Sequence, residues 1–460
     1  MYGGLLFYAD SHKKEMRVAM TKQEFAQLCE KNLLMLDGAT GSNLQKRGMP
    51  FGVCPEAWIA EHPDELIRLQ KEYVKAGSNV IYAPTFTANP IKLKEYNLEE
   101  KTEELNRSLV QLSRQAADGR ALVAGDVTMT GQQLAPLGTL TAEELIACYR
   151  RQISALAGAG ADLLVIETMM SLAETRTALI AAREVCDLPV MVTMSFDENG
   201  RTLYGTGPRT ALLVLQGLGA DAVGINCGSG PDRIAALLKE MRPYASVPLI
   251  AKPNAGLPHL NEDGTTSYDM DAEVFAGYVP ALVEAGARII GGCCGTDPSY
   301  IDLTARQARK LCLPEPAAKS QERFLTTERA ETRVDLPDVR YVCLDPADDE
   351  ELAQDYENGD FDTLYDRIDE ASDDEADVLV LSVDETAEDA DQFILVLIQE
   401  TMQYSPLPLA FCLGSEPVLR AALRSYPGIA GVILKDGADL ECAGLCAFYG
   451  AVLLDKKTIN

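Results

Sequence analysis

From residue 30 onward, short apolar runs alternate with longer amphipathic stretches. The runs are LLMLD at 33–37, NVIYA at 79–83, ALVAGD at 121–126, DLLVIE at 162–167, PVMVTMS at 189–195, DAVGIN at 221–226, VPLIAKP at 247–253 and ARIIGG at 287–292. Each is too short and too rich in β-branched residues for a helix, and reads as a strand buried on both faces. The segments between them repeat apolar residues at helical spacing. PDELIRLQKEYVKAG at 63–77 ends on Gly77, and GPDRIAALLKEMRPYA at 230–245 is another. TAEELIACYRRQISALAGAG at 141–160 opens with Thr141 and Glu144 in a capping-box arrangement and closes on glycine. Eight strands alternating with helices over about 270 residues predict an α/β fold, a (β/α)8 TIM barrel. A doubly wound open sheet is the alternative, and the count of eight favours the barrel.

The pattern then changes. LCLPEPAAKSQ at 311–321 reads as linker. Further strands follow at VRYVCLD 339–345, DVLVLSVD 377–384, PLAFCL 408–413, AGVILK 430–435 and GAVLLD 450–455. They predict a smaller α/β domain of about five strands, too short for a second barrel. The expected division is an N-terminal extension at 1–30, a barrel at 31–311, a linker at 312–336 and an α/β domain at 337–460. Residues 1–19 read poorly as structure, and Met16 or Met20 is a candidate natural start.

Composition sharpens this picture. Of 460 residues 47% are apolar, which excludes wholesale disorder. The formal charge of −29 argues against nucleic acid or an anionic membrane surface as a partner, since both are polyanions. That charge is uneven: 32 acidic and 10 basic residues fall in 321–460, leaving 38 and 31 in the first 320. Acidic runs such as 345–362 and 369–377 read as solvated faces, with no EF-hand loop pattern. No apolar stretch of about 18 residues and no signal peptide is evident, so the expected location is the cytoplasm. There the 12 cysteines stay reduced and are candidates for metal or catalysis before disulfides.

In a barrel the chemistry stands at the carboxyl ends of the strands. Those ends carry Asp37, Asp126, Glu167, Asn226 with Cys227, and the run Gly291, Gly292, Cys293, Cys294, Gly295. Three thiolates with one open position make a plausible catalytic zinc site. Placement, not spacing, suggests it: no CxxC pair is present there, and Cys227 lies 66 residues before Cys293. The competing reading is of cysteines as small core hydrophobes. On a strand, Cys293 and Cys294 would point oppositely, so a turn must begin there, which the flanking glycines permit.

LDGATGSNLQKRG at 36–48, APTFTANPIKL at 83–93, GDVTMTGQQLAPLG at 125–138, INCGSGP at 225–231, AKPNAGLP at 251–258 and IIGGCCGTDPSYI at 289–301 together resemble the homocysteine S-methyltransferase family. NAGLP and TGQQLAPLG tilt the likeness toward the homocysteine-binding module of cobalamin-dependent methionine synthases. The resemblance runs from about Leu33 to Leu311. It implies one Zn2+ per chain on Cys227, Cys293 and Cys294, with the sulfur of L-homocysteine as fourth ligand and methionine as product. It also implies Asp37 and Glu167 as partners of the substrate ammonium. Thr85 and Asn226 are further substrate-binding candidates, with the other reading that they hold loops. Asp126 and Glu174 read equally well as structural.

The implied methyl donor is a methylated corrinoid. Corrinoid modules carry a histidine in a DxHxxG pattern; His12 sits in DSHKKE, and His62 and His259 do not fit. Methylcobalamin is therefore expected on a separate protein rather than bound stably here, with a methyltetrahydrofolate methyltransferase as a further partner. The alternatives are S-methylmethionine or another small donor, a different thiol acceptor, or a non-catalytic protein binding homocysteine and zinc. The tail at 374–385 and 406–435 weakly resembles a methyltetrahydrofolate-binding (pterin-binding) barrel. It lacks that family's polar residues around Cys412, Leu413, Gly414, Val432 and Ile433. It reads as a truncated remnant serving for docking or oligomer formation, or as an unrelated appendage.

Overall fold

The computed structural model describes residues 20–135, 137–261, 266–313 and 320–459. Residues 1–19, including His12 and the candidate starts before Met20, lie outside the described residues. Eight parallel strands form the first sheet: β1 (Leu34–Met35), β2 (Val80–Tyr82), β3 (Leu122–Val127), β4 (Leu163–Met169), β5 (Val190–Met194), β6 (Ala222–Asn226), β7 (Leu249–Lys252) and β10 (Ala287–Ile290). Between β7 and β10 an antiparallel hairpin is inserted, β8 (Pro258–Leu260) with β9 (Thr266–Tyr268). Spatial order follows chain order from β2 to β7, then β10, then β1. No strand order reversal occurs, so the sheet is the nearly closed (β/α)8 barrel and not the doubly wound alternative.

Side-chain alternation divides the barrel strands into two sets. Leu34, Val80, Leu122, Leu163, Met191, Ala222, Ile250 and Ile289 pack together as an interior cluster. Their neighbours, such as Ile81, Val123, Leu164 and Val192, join the larger core beneath the helices. The helix Lys22–Lys31, capped by Thr21 and Glu24, adds Phe25 and Cys29 to the interior cluster. It lies in the stretch expected to be an extension, yet it supplies part of the barrel's own core.

The barrel's seam lies between β1 and β2, where no strand ladder runs. One backbone bond crosses it, from Asn79 N–H to the Met35 carbonyl at 2.7 Å, and side chains supply the rest. Asn79 Oδ1 accepts the Met35 N–H at 2.9 Å, Ser78 Oγ donates to the Leu36 carbonyl at 3.1 Å, and Asp37 Oδ2 accepts the Tyr82 N–H at 2.8 Å.

The second unit is a five-stranded parallel sheet in chain order: β13 (Tyr341–Leu344), β14 (Val378–Leu381), β15 (Leu409–Leu413), β16 (Gly431–Leu434) and β17 (Val452–Leu453). Ahead of it, β11 (Phe324–Thr326) and β12 (Glu331–Arg333) form a hairpin inside the stretch expected to be linker. The hairpin wedges between the units. Thr326 Oγ1 accepts the Ile429 N–H at 2.9 Å, while Glu331 pairs with Arg209 and Glu328 Oε1 accepts the Ala173 N–H at 3.1 Å.

Arginines from the barrel grip the tail directly. Arg176 is 3% exposed and donates to the Leu423 and Arg424 carbonyls at the end of helix Glu416–Ser425. Arg183 donates to the Phe448 carbonyl and lies 4.2 Å over the Phe448 ring. Gly450, at φ +70°, brings its backbone so close to Gly217 that a Cβ there would stand 2.4 Å from the Gly217 oxygen. An Arg176→Met substitution strands two buried carbonyls, at about 1–3 kcal/mol each. It is expected to lower the tail's unfolding transition and split it from the barrel's in differential scanning calorimetry.

Candidate active site

The carboxyl ends of the barrel strands surround a cavity of about 550 Å³, a volume suited to a small ligand. Cys227, Cys293, Cys294, Asp37 and Glu167 all line it, together with Asp126, Lys252 and Tyr82. The three cysteine sulfurs lie within 4.8 Å of one another. Tetrahedral zinc with bonds of about 2.3 Å asks for sulfurs roughly 3.8 Å apart, so this donor set fits such an ion with little movement. Hydrogen bonds from Cys227 and Cys293 hold the Cys294 thiol well below its ordinary value, while the contacts with Cys293 and Cys294 push Cys227 up.

The backbone is shaped for this convergence. Cys227 follows β6 in the left-handed region at φ +56°, a conformation costing an L-residue about 1–2 kcal/mol. Its N–H donates to the Lys252 carbonyl at 3.2 Å. After β10 the chain turns at once. Cys293 N–H reaches the Pro253 carbonyl at 2.7 Å, and Thr296 Oγ1 donates to the Cys293 carbonyl at 2.7 Å. Gly295 sits at φ +83°, and a Cβ there would stand 2.4 Å from the Tyr268 ring. The sequence expectation of a turn that brings both sulfurs inward matches this geometry.

Glu167 is aimed inward by a break in β4. The register with β5 shifts between Ile166 and Met169, and Thr168 stands at φ +60°. Asn226 secures that break: its Oδ1 accepts the Thr168 N–H at 2.9 Å, and its Nδ2 donates to Thr168 Oγ1 at 2.7 Å. Nδ2 also lies 3.4 Å from Glu167 Oε2. Thr85 stands farther back, its hydroxyl bonded to the carbonyl (2.8 Å) and N–H (3.0 Å) of Asp126. Neither Asn226 nor Thr85 is part of the cavity wall. Both brace residues that are, which is their loop-holding reading.

Among the wall residues that were not expected in the site are Asp126 and Lys252. Asp126 is buried with Oδ1 unpartnered, and Lys252 is 3% exposed. Lys252 Nζ lies 3.4 Å from Glu167 Oε2 and 4.7 Å over the Tyr82 ring. A lysine closing the apolar run VPLIAKP was the signal for it. Burial disfavours its charge, but Glu167, Cys293 and Asp37 outweigh that and hold its pKa above the ordinary value. Burial pushes Asp37 and Glu167 up to about 7 against the pull of Lys252, and pushes Asp126 well up too. Glu174 lies elsewhere: its Oε1 accepts from Thr130 N, Thr130 Oγ1 and Tyr149 OH at 2.6–2.8 Å. His62 stacks on Trp58 and His259 lies 3.6 Å from Asp269.

Comparison with known proteins agrees with the fold. Residues 34–308 match the homocysteine S-methyltransferase family. The chain belongs to that family of methyl-transferring enzymes. It is 28% identical to the methionine synthase of Mycobacterium leprae (strain TN) over 322 residues, covering 64% of this chain and 26% of that protein. The methionine synthase of Mycobacterium tuberculosis (strain ATCC 25618 / H37Rv) is 28% identical over 299 residues, covering 61% and 25%. This chain thus spans about a quarter of the length of these relatives. Among solved structures, the oxidised form of the homocysteine methyltransferase MmuM from Escherichia coli superposes with a TM-score of 0.54. It has 25% identity and covers 62% of this chain and 98% of that one. The metallated form gives 0.52 and 26%, covering 61% and 98%.

Two outcomes follow from this geometry. A Gly295→Ala substitution forces a Cβ into Tyr268 and strains the turn carrying Cys294. Metal affinity, read by competition with a chromophoric chelator, is expected to fall about 10–100-fold with the circular dichroism spectrum unchanged. The second concerns pH. Asp37 ionises near 3.8 unfolded and about 7 folded. The folded state therefore binds the extra proton between those values, and its stabilisation is lost as pH rises through about 7. The slope of unfolding free energy against pH, measured on metal-free protein by urea titration, is expected to be flatter across this window in Asp37→Asn.

Proposed function

We propose that this chain is a zinc-dependent methyltransferase that moves a methyl group to the thiol of L-homocysteine, giving methionine. The observation that carries this reading is the set of three sulfurs within 4.8 Å, in one cavity with Asp37 and Glu167. Cys227, Cys293 and Cys294 would hold the ion. Zinc, when bound, would favour the thiolate form of the substrate sulfur, and an all-cysteinate donor set would keep that sulfur electron-rich. Asp37 and Glu167 would receive the substrate ammonium, with the unpartnered Asp37 Oδ1 facing the site as an open acceptor. Asn226 acts as a positioning residue that keeps Glu167 turned inward. In the transfer the thiol proton leaves, the bond from sulfur to methyl carbon forms, and the bond from methyl carbon to its donor breaks.

The donor in this reading is methylcobalamin on a separate corrinoid protein, recharged by a methyltetrahydrofolate methyltransferase. Its support is the likeness to methionine synthases, of which this chain spans only part. Twelve cysteines with no disulfide among them suit a reducing, cytoplasmic setting. No helix among the described residues is long and apolar enough to cross a membrane. The acidic tail is read as a shortened pterin-binding barrel kept for docking or oligomer contact. Five parallel strands in chain order, as in an unclosed barrel, support this.

Purified protein is expected to carry about one zinc per chain by plasma emission spectroscopy, as three cysteinates and one open position imply. Cys293→Ser should lose it; zinc retained in that variant counts against the site. Homocysteine supplied with methylcobalamin, S-methylmethionine or methyltetrahydrofolate in turn should give methionine with the first. Turnover with the sulfonium alone would overturn the corrinoid assignment. Homocysteine binding without turnover on any donor would favour a non-catalytic binding protein.

A further inference from the structure

The cavity holds one cation among its anions. Asp37, Asp126 and Glu167 are each at most 6% exposed, Glu56 also lines the wall, and Lys252 is the only basic residue there among the described residues. An ammonium has three N–H donors. Lys252 Nζ has Glu167 Oε2 at 3.4 Å and the Tyr82 ring at 4.7 Å, so donors remain for a further acceptor. The opposite shortage exists beside it. Asp37 Oδ1 and Asp126 Oδ1 are buried acceptors without donors, and Tyr82 OH is a buried hydroxyl without a partner. A buried polar group without a partner is destabilising, so the wall is incomplete on both signs of charge.

An α-amino acid head group has the complementary pattern. Its ammonium and carboxylate sit on one carbon, a spacing comparable to that between Lys252 Nζ and Glu167 Oε2. Antiparallel apposition puts the substrate ammonium on the carboxylates and the substrate carboxylate on Lys252. The side chain then runs toward the three sulfurs that share the cavity. Without Lys252 the wall would repel a carboxylate; with it, the wall selects thiols that carry both charges.

We propose that Lys252 is the specificity-determining residue that receives the carboxylate of the thiol substrate, with Asp126 joining Asp37 and Glu167 as an acceptor for its ammonium. This rests on the zinc-thiol reading above, and the test separates the two. Three thiols are titrated into zinc-loaded protein by anaerobic calorimetry: homocysteine, 3-aminopropane-1-thiol, which lacks the carboxylate, and 4-sulfanylbutanoate, which lacks the ammonium. Wild type should bind homocysteine at least about 10-fold more tightly than 3-aminopropane-1-thiol. Lys252→Met should weaken homocysteine and 4-sulfanylbutanoate by about that factor and leave 3-aminopropane-1-thiol within about twofold. Lys252→Arg, which keeps the charge, should retain a preference for homocysteine over the amine. Equal weakening of all three thiols in Lys252→Met, with zinc content intact, would make the residue structural and overturn the proposal. A wild type that binds 3-aminopropane-1-thiol as tightly as homocysteine overturns it without any variant. If none of the three thiols binds zinc-loaded wild type, the zinc-thiol reading itself fails, and this inference with it.

Discussion

A parallel sheet becomes a barrel only when its first and last strands satisfy each other's backbone groups. Here β1 and β2 span two and three residues and form no ladder, so beyond one backbone bond from Asn79 to Met35 the seam depends on side chains. Asp37 contributes the uppermost bond, its Oδ2 accepting the Tyr82 N–H, while Oδ1 stays without a donor in the cavity wall. One carboxylate thus closes the barrel and faces the site. Its geometry is fixed from both sides, by β1 that carries it and by β2 that it holds.

The remaining site follows from the same economy of buried charge. Four carboxylates and three thiols around one apolar cavity are costly unless compensated. Among the described residues Lys252 supplies the one positive side chain in the wall, and its pull on Asp37 and Glu167 opposes the burial that pushes both carboxyls up toward neutrality. A divalent cation on the sulfurs and an ammonium on the carboxylates would each relieve the same deficit. The cavity therefore has an electrostatic reason to be filled, separate from any argument by likeness to relatives.

The sequence made the eight barrel strands and five tail strands legible because buried parallel strands leave continuous apolar runs. It also placed Cys227, Cys293 and Cys294 together, since a barrel gathers every strand's carboxyl end at one rim. What it hid has physical causes too. The strands β11 and β12 span three residues each, too few for alternation to show, so a structural wedge read as linker. The helix Lys22–Lys31 carries only two fully buried side chains, Phe25 and Cys29, and looked like an extension. Thr85 and Asn226 sit at strand ends beside the site, but strand ends also need bracing, and nothing local distinguishes the two tasks. Little local marks Lys252 either: a single lysine after an apolar run is ordinary, and the constraint it answers is the sum of charge over residues carried by four different strands.

The helix Leu172–Val185 carries several of the contacts that set the tail's place on the barrel. Near its start, Glu174 takes the N–H and hydroxyl of Thr130 from the segment after β3, beside Asp126. Two residues on, Arg176 holds the end of a tail helix, and at its far end Arg183 holds another. Arg424 returns the contact by pairing with Glu143 and Glu184. Buried arginine–carbonyl bonds resist salt far better than surface ion pairs. The tail's surplus of acidic residues is therefore carried in a fixed orientation by the same helix that anchors a wall of the cavity.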